Sequence, residues 1–331
     1  MTLPSTGTAT RPASMPSPLA LVSEEMARVE KRIVELSTSR EKKLTEIAGE
    51  LIASGGKRVR PALALMVFRA AGGQDPNDVI DIGAALELIH SATLLHDDIL
   101  DSGMTRRGKP SPLARHGVGR TLVTGDFLFS RAFGVAGRFD AMVVGWATDA
   151  CTQLCEGEVL QQRFQHNPDV TIDDYLQIAE AKTASLFSQA ARIGAHLAGA
   201  PGSLVDAMYR LGYEIGIGFQ MVDDLLDVVG PEELIGKPVG SDIREGSPAL
   251  PTVLGLPHLP TVREAFLNPE PPPEDVARAV DELRGSDVLA EVRSIASGRI
   301  RVAREQISLL PPSEYRDGLY QLAEMMLERT G

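Results

Sequence analysis

Two stretches of this chain carry apolar residues almost all the way round a helix, and they constrain its fold more than any other feature. Residues 79–100 include Val79, Ile82, Leu86, Ile89, Leu95 and Leu100, and residues 211–229 repeat the pattern. A helix without a polar face must be wrapped by other helices. The second stretch also contains Gly212, Gly216 and Gly218. Each costs about 1 kcal/mol relative to Ala inside a helix, so three together predict close approach by a neighbouring helix or a ligand. Residues 24–36, 41–53 and 173–198 space apolar side chains at three and four, the helical period, and strictly alternating stretches are missing. Gly and Pro clusters punctuate the pattern at 55–56, 72–73, 108–112, 201–202 and 271–273. The expected fold is all-α: one large helical bundle over residues 19–331, with a Pro-rich stretch near 269–273 setting off a C-terminal subregion. Residues 1–18, rich in Thr, Ser, Ala and Pro, read as a disordered tail.

Both apolar stretches end in the same acidic cluster. The first reads His96-Asp97-Asp98-Ile99-Leu100-Asp101 and the second Val222-Asp223-Asp224-Leu225-Leu226-Asp227. Residues four apart share a helix face, so Asp97 is expected beside Asp101, and Asp223 beside Asp227. Two carboxylates about 4 Å apart repel by roughly 4 kcal/mol at an effective dielectric of 20. A hard divalent cation between them removes that penalty, and magnesium prefers a few carboxylates with waters and phosphate oxygens. Asp97, Asp98, Asp101, Asp223, Asp224 and Asp227 are therefore the candidate metal ligands.

The net charge of −12 argues against nucleic acid as a partner, so an anionic substrate here needs concentrated basic residues or bound metal. Such residues surround the acidic clusters: Gly55-Gly56-Lys57-Arg58-Val59-Arg60-Pro61 before the first, Arg106-Arg107-Gly108-Lys109 after it, then Lys182-Thr183 and Gly236-Lys237. His90 lies two turns before Asp97 on nearly the same face. The two cysteines, Cys151 and Cys155, exclude a disulfide framework and read as small buried side chains on one helix face. They fit a reducing cytoplasm. No integral membrane span is expected.

Together these motifs resemble the trans-type polyprenyl synthetase family of farnesyl, geranylgeranyl and longer-chain prenyl diphosphate synthases. The resemblance runs from about Leu19 to the C-terminus. It implies a magnesium-dependent prenyltransferase that adds isopentenyl diphosphate to an allylic diphosphate, with three magnesium ions, a central cavity and a homodimer. Lys57, Arg60 and His90, assisted by Arg107, would hold isopentenyl diphosphate. Arg106, Lys182, Gln220 and Lys237 would hold the allylic diphosphate, with Thr183 beside it. Asp97, Asp101 and Asp223 match the carboxylates that touch the metals, and Asp98, Asp224 and Asp227 would support them. The chain departs from the family where Ser247 and Ala249 replace a usual Lys and Thr, leaving Lys237 and Arg244 as the basic residues able to compensate.

The resemblance also assigns product length to the positions just before the first cluster. Ala92 and Thr93 stand where short-chain enzymes often carry aromatics, with Ile89 and Leu86 further down the same ridge. A product longer than farnesyl follows, with geranylgeranyl diphosphate second. A class I terpene cyclase and a non-catalytic regulatory subunit are the competing readings; the second complete acidic cluster and the extra basic residues weigh against both.

Overall fold

A computed structural model describes residues 18–106, 108–230 and 238–328. Residues 1–17 of the proposed tail, Arg107 and Lys237 lie outside the described residues, and Pro18, its last residue, is buried at the start of a 3-10 turn, Pro18–Val22. The first apolar stretch is α4 (Asn77–Leu100) and the second forms most of α10 (Gly202–Val229). Between and around them run α1 (Ser23–Leu36), α2 (Lys42–Ala53), α3 (Val59–Ala70), α5 (Pro112–His116), α6 (Val118–Ala136), α7 (Ala141–Phe164), α8 (Ile172–Ala179) and α9 (Ser185–Leu197). The last long helices are Pro273–Arg284, Val288–Ile307 and Glu314–Glu328. Among the described residues, the extended structure is one short hairpin pairing Thr105–Arg106 with Lys109–Pro110.

Helix starts follow local chemistry. Asp140 accepts hydrogen bonds from the Met142 and Val143 backbone N–H groups, both at 3.0 Å, and so caps α7. Thr171 and Asp174 exchange bonds in a capping box at the start of α8. The segment expected as one helix over 173–198 is interrupted by a π-turn, Glu180–Ala184, between α8 and α9.

Helices α3, α4, α9 and α10 build one apolar core that includes Leu63, Leu88, Phe187 and Leu211. A second core joins the far half of α10, through Val222 and Leu225, to Ala279 and Leu283 beyond the Pro-rich stretch. That C-terminal subregion therefore shares its core with α10. The glycines of α10 serve close packing: a Cβ on Gly212 would lie 2.3 Å from the Phe187 carbonyl oxygen, and one on Gly216 would lie 2.5 Å from the Ala184 Cα. Helix α4 is long and apolar enough to cross a membrane by those criteria alone, contrary to the expectation from the run lengths. It is instead a core helix, with 72% of its most apolar window buried. The cysteine expectation also needs correcting, because Cys155 is exposed and Cys151 only half-buried; α7 turns that stretch outward.

Candidate active site

The ends of α4 and α10 open onto one cavity of about 500 Å³, lined by Asp97 and Asp101 from the first acidic cluster and Asp223 and Asp224 from the second. Carboxylates in the last turn of a helix meet the negative end of its dipole. Nothing in local helix chemistry favours two such clusters.

Burial first, then the nearby carboxylates Glu158 and Asp101, push the Asp97 carboxyl up to about 7, against the opposing pull of Lys182. Asp101 is raised as well, by the same leading causes. Asp224 is pushed up to about 7 by burial and by Asp242, although it accepts bonds from the Leu250 backbone N–H at 3.1 Å and Gln220 Nε2 at 2.8 Å. An all-oxygen donor set of this kind suits magnesium or calcium rather than a softer metal.

The remaining acidic residues do not line the cavity. Buried Asp98 is held by Arg106, whose Nη2 and Nε lie 2.8 and 3.1 Å from its Oδ1. Buried Asp227 accepts the backbone N–H of Asp242 at 3.1 Å. The expected pairing of Asp223 with Asp227 on the cavity side is thus replaced by Asp223, Asp224 and Asp242. Tertiary contacts override the helix-face argument here: the short helix Ser241–Arg244 binds Asp227 and delivers Asp242.

Among the basic and polar candidates, Arg60, His90, Arg106, Lys182, Thr183 and Gln220 all line the cavity. Arg60 stacks over the Phe187 ring at 4.6 Å, and its buried Nε meets no acceptor. Burial lowers its pKa from the usual guanidinium value, opposed by the fields of Glu87 and Asp223. A buried guanidinium with an unmet donor is prepared for an anion. The π-turn presents Lys182 and Thr183 inward: Lys182 Nζ pairs with Glu158 at 2.5 Å, and the Thr183 hydroxyl donates to Gln220 Oε1 at 2.7 Å. Such turns frequently mark functional positions. Lys57 is exposed on the turn before α3 and does not line the cavity.

Glu158, Gln161, Tyr175 and Asp242 were missed from sequence. Gly157 was the available signal for the first two, since a Cβ there would lie 2.6 Å from the Ala181 Cβ and 2.9 Å from the Lys182 Cγ. At the family departure, Ser247 accepts a hydrogen bond from Gln161 Nε2 at 3.2 Å, and Ser247 and Ala249 both line the cavity. Arg244 does not. Of the chain-length positions only Thr93 lines the cavity, while Ala92, Ile89 and Leu86 are buried in the core behind it. Elsewhere, Glu46, Glu50 and His116 form a separate group that could hold a metal ion, but Lys43 and Arg115 already pair with its carboxylates at 2.6 and 3.2 Å.

Comparison with known proteins shows the family and the fold. The polyprenyl synthetase family model matches residues 41–283. A short chain isoprenyl diphosphate synthase from Methanothermobacter thermautotrophicus is 37% identical over 86% of this chain and 90% of its own length. The octaprenyl diphosphate synthase of Escherichia coli is 32% identical over 93% of this chain and 97% of that one. A crystal structure of a polyprenyl synthase from Caulobacter crescentus, complexed with calcium and isoprenyl diphosphate, superposes with a TM-score of 0.92 at 32% identity, covering 98% of this chain and all of that one. The all-α chain whose two acidic helix ends meet in this cavity belongs to the polyprenyl synthetase family and is a prenyltransferase.

Proposed function

We propose that this enzyme condenses isopentenyl diphosphate with an allylic diphosphate, head to tail, to give a trans-polyprenyl diphosphate longer than farnesyl, using magnesium held by Asp97, Asp101 and Asp223. The observation that carries this reading is the single cavity shared by both acidic clusters and by Arg60, Arg106 and Lys182. The Caulobacter relative, crystallised with a divalent metal and an isoprenyl diphosphate, supports it.

Magnesium, when bound, supplies charge neutralisation on the departing diphosphate. The chain's own groups do the rest. Lys182 exchanges its Glu158 partner for diphosphate oxygens, and Arg106, held by Asp98, presents its remaining donors beside it. Gln220, anchored between Thr183 and Asp224, fixes the position of the allylic diphosphate. These donors stabilise the charge that develops as the allylic C–O bond breaks. Arg60 and His90 hold isopentenyl diphosphate so that its double bond faces the resulting cation. Leu94, Ile178, Phe219 and Leu226 line the cavity and exclude water, which would otherwise quench that cation. Attack by that double bond leaves a tertiary cation on the former isopentenyl unit, and the proton lost from its neighbouring carbon, which restores a double bond, passes to the released diphosphate.

Neither Ala92 nor Thr93 is aromatic, which favours a long product; the buried core behind Thr93 favours geranylgeranyl diphosphate as the second reading. The same reading makes the enzyme a cytoplasmic homodimer, supported by the exposed Val118, Leu122, Val123 and Phe133 of α6. Incubation with magnesium, isopentenyl diphosphate and each allylic starter, followed by product identification, tests the proposal. Diphosphates longer than farnesyl are expected from the wild type and shorter ones from Ala92→Phe. Hydrocarbons or alcohols would mark a cyclase, no turnover a regulatory subunit, and an unchanged product from Ala92→Phe would refute the chain-length account.

A further inference from the structure

The turn that leads into α3 is built around Arg58, to which the proposed chemistry gives no role. Arg58 caps α3 with φ +47° and ψ +38°, a left-handed conformation uncommon for a residue with a side chain. Its side chain, 9% exposed, ties together three other helices through the guanidinium. Nε donates to Glu30 Oε1 of α1 at 2.7 Å, Nη1 to Glu87 Oε1 of α4 at 2.7 Å, and Nη2 to the Ile52 carbonyl of α2 at 3.3 Å. Glu87 is 3% exposed and sits one turn before His90 on α4. Arg60, two residues beyond Arg58, has a buried Nε without an acceptor, and Glu87 and Asp223 are the carboxylates whose fields reach it.

A buried carboxylate and a buried guanidinium with an unmet donor attract strongly at low dielectric. Glu87 would be a ready internal partner for Arg60, and pairing them would remove Arg60 from the anion site. We propose that Arg58 is a positioning residue: by occupying the buried carboxylate of Glu87 and fixing the left-handed turn, it keeps the Arg60 guanidinium available for the diphosphate of isopentenyl diphosphate. This rests on the assignment of Arg60 to that substrate made above. Arg58 itself touches neither substrate. Arg58 thereby decides whether Glu87 is free to pair with Arg60, and the three are coupled, so their substitutions should not add.

Steady-state kinetics with each substrate varied in turn, on the full chain with magnesium, tests this. Arg58→Met should raise the KM for isopentenyl diphosphate by about tenfold or more while the KM for the allylic diphosphate stays within about twofold. Adding Glu87→Gln to Arg58→Met should return the first KM to within about threefold of wild type, because the competing charge is gone. Equal rises in both KM values, or no recovery in the double variant, would overturn the proposal in favour of a structural role. If Arg58→Met does not fold, Arg58→Lys with and without Glu87→Gln makes the same comparison, with a smaller rise and the same recovery expected. Arg60→Met separates this proposal from the reading beneath it. An unchanged isopentenyl diphosphate KM in Arg60→Met refutes the substrate assignment, whereas a raised KM there with no recovery in the double variant refutes only the role of Arg58.

Discussion

Single residues of the same type divide here according to what surrounds them. Six aspartates end the two central helices, yet Asp98 serves Arg106 and Asp227 serves the Asp242 backbone, leaving four to face the cavity. Asp97 and Asp224 hold their protons to about 7 in the folded chain, against an ordinary value of 3.8. Between those values the unfolded chain binds fewer protons than the folded one, so their contribution makes metal-free stability fall as pH rises from about 4 to about 7. A divalent cation that replaces those protons must reverse the trend, because its binding is favoured as the carboxyls ionise. Magnesium is therefore predicted to raise the melting temperature by about 4 °C or more near pH 8 and by little near pH 5. Thermal melts with magnesium and with a chelator at both pH values check this; a magnesium effect that does not depend on pH would contradict the assignment.

At the scale of elements, the π-turn Glu180–Ala184 is what converts a packing helix into part of the site. It carries one residue more than the α-helical ladder needs, and that residue turns Lys182 and Thr183 toward Glu158 and Gln220. Deleting Ala181 should restore α-helical register, rotate the flanking positions by about 100° and lower kcat by about a hundredfold. Circular dichroism should show retained helix, and kcat close to wild type in a folded deletion variant would rule the π-turn out as a positioning element. Sequence periodicity revealed α4 and α10 because their apolar content is unbroken, and the glycines of α10 announced its contacts with Phe187 and Ala184. It missed the π-turn because one extra residue within 173–198 barely alters the average spacing. Asp242 was missed because it reaches the cavity from a separate four-residue helix, Ser241–Arg244, too short to show a period, and Glu158 and Gln161 because α7 carries no strong apolar stripe to orient them. Cys155 was misplaced for the same reason.

For the whole molecule, the account makes one cavity the meeting point of parts far apart in the chain. The first turn of α3, the hairpin after α4, the π-turn and the end of α10 supply charge, and the two apolar cores hold them in place. The family relationship sets the class of reaction. Crystals grown with manganese in place of magnesium, together with an unreactive thio analogue of an allylic diphosphate, allow metal positions to be read from anomalous scattering. The account predicts peaks against Asp97 and Asp101 on one side and against Asp223 on the other, bridged by a single diphosphate group. Peaks at only one acidic cluster, or a diphosphate bound away from the space between them, would contradict it.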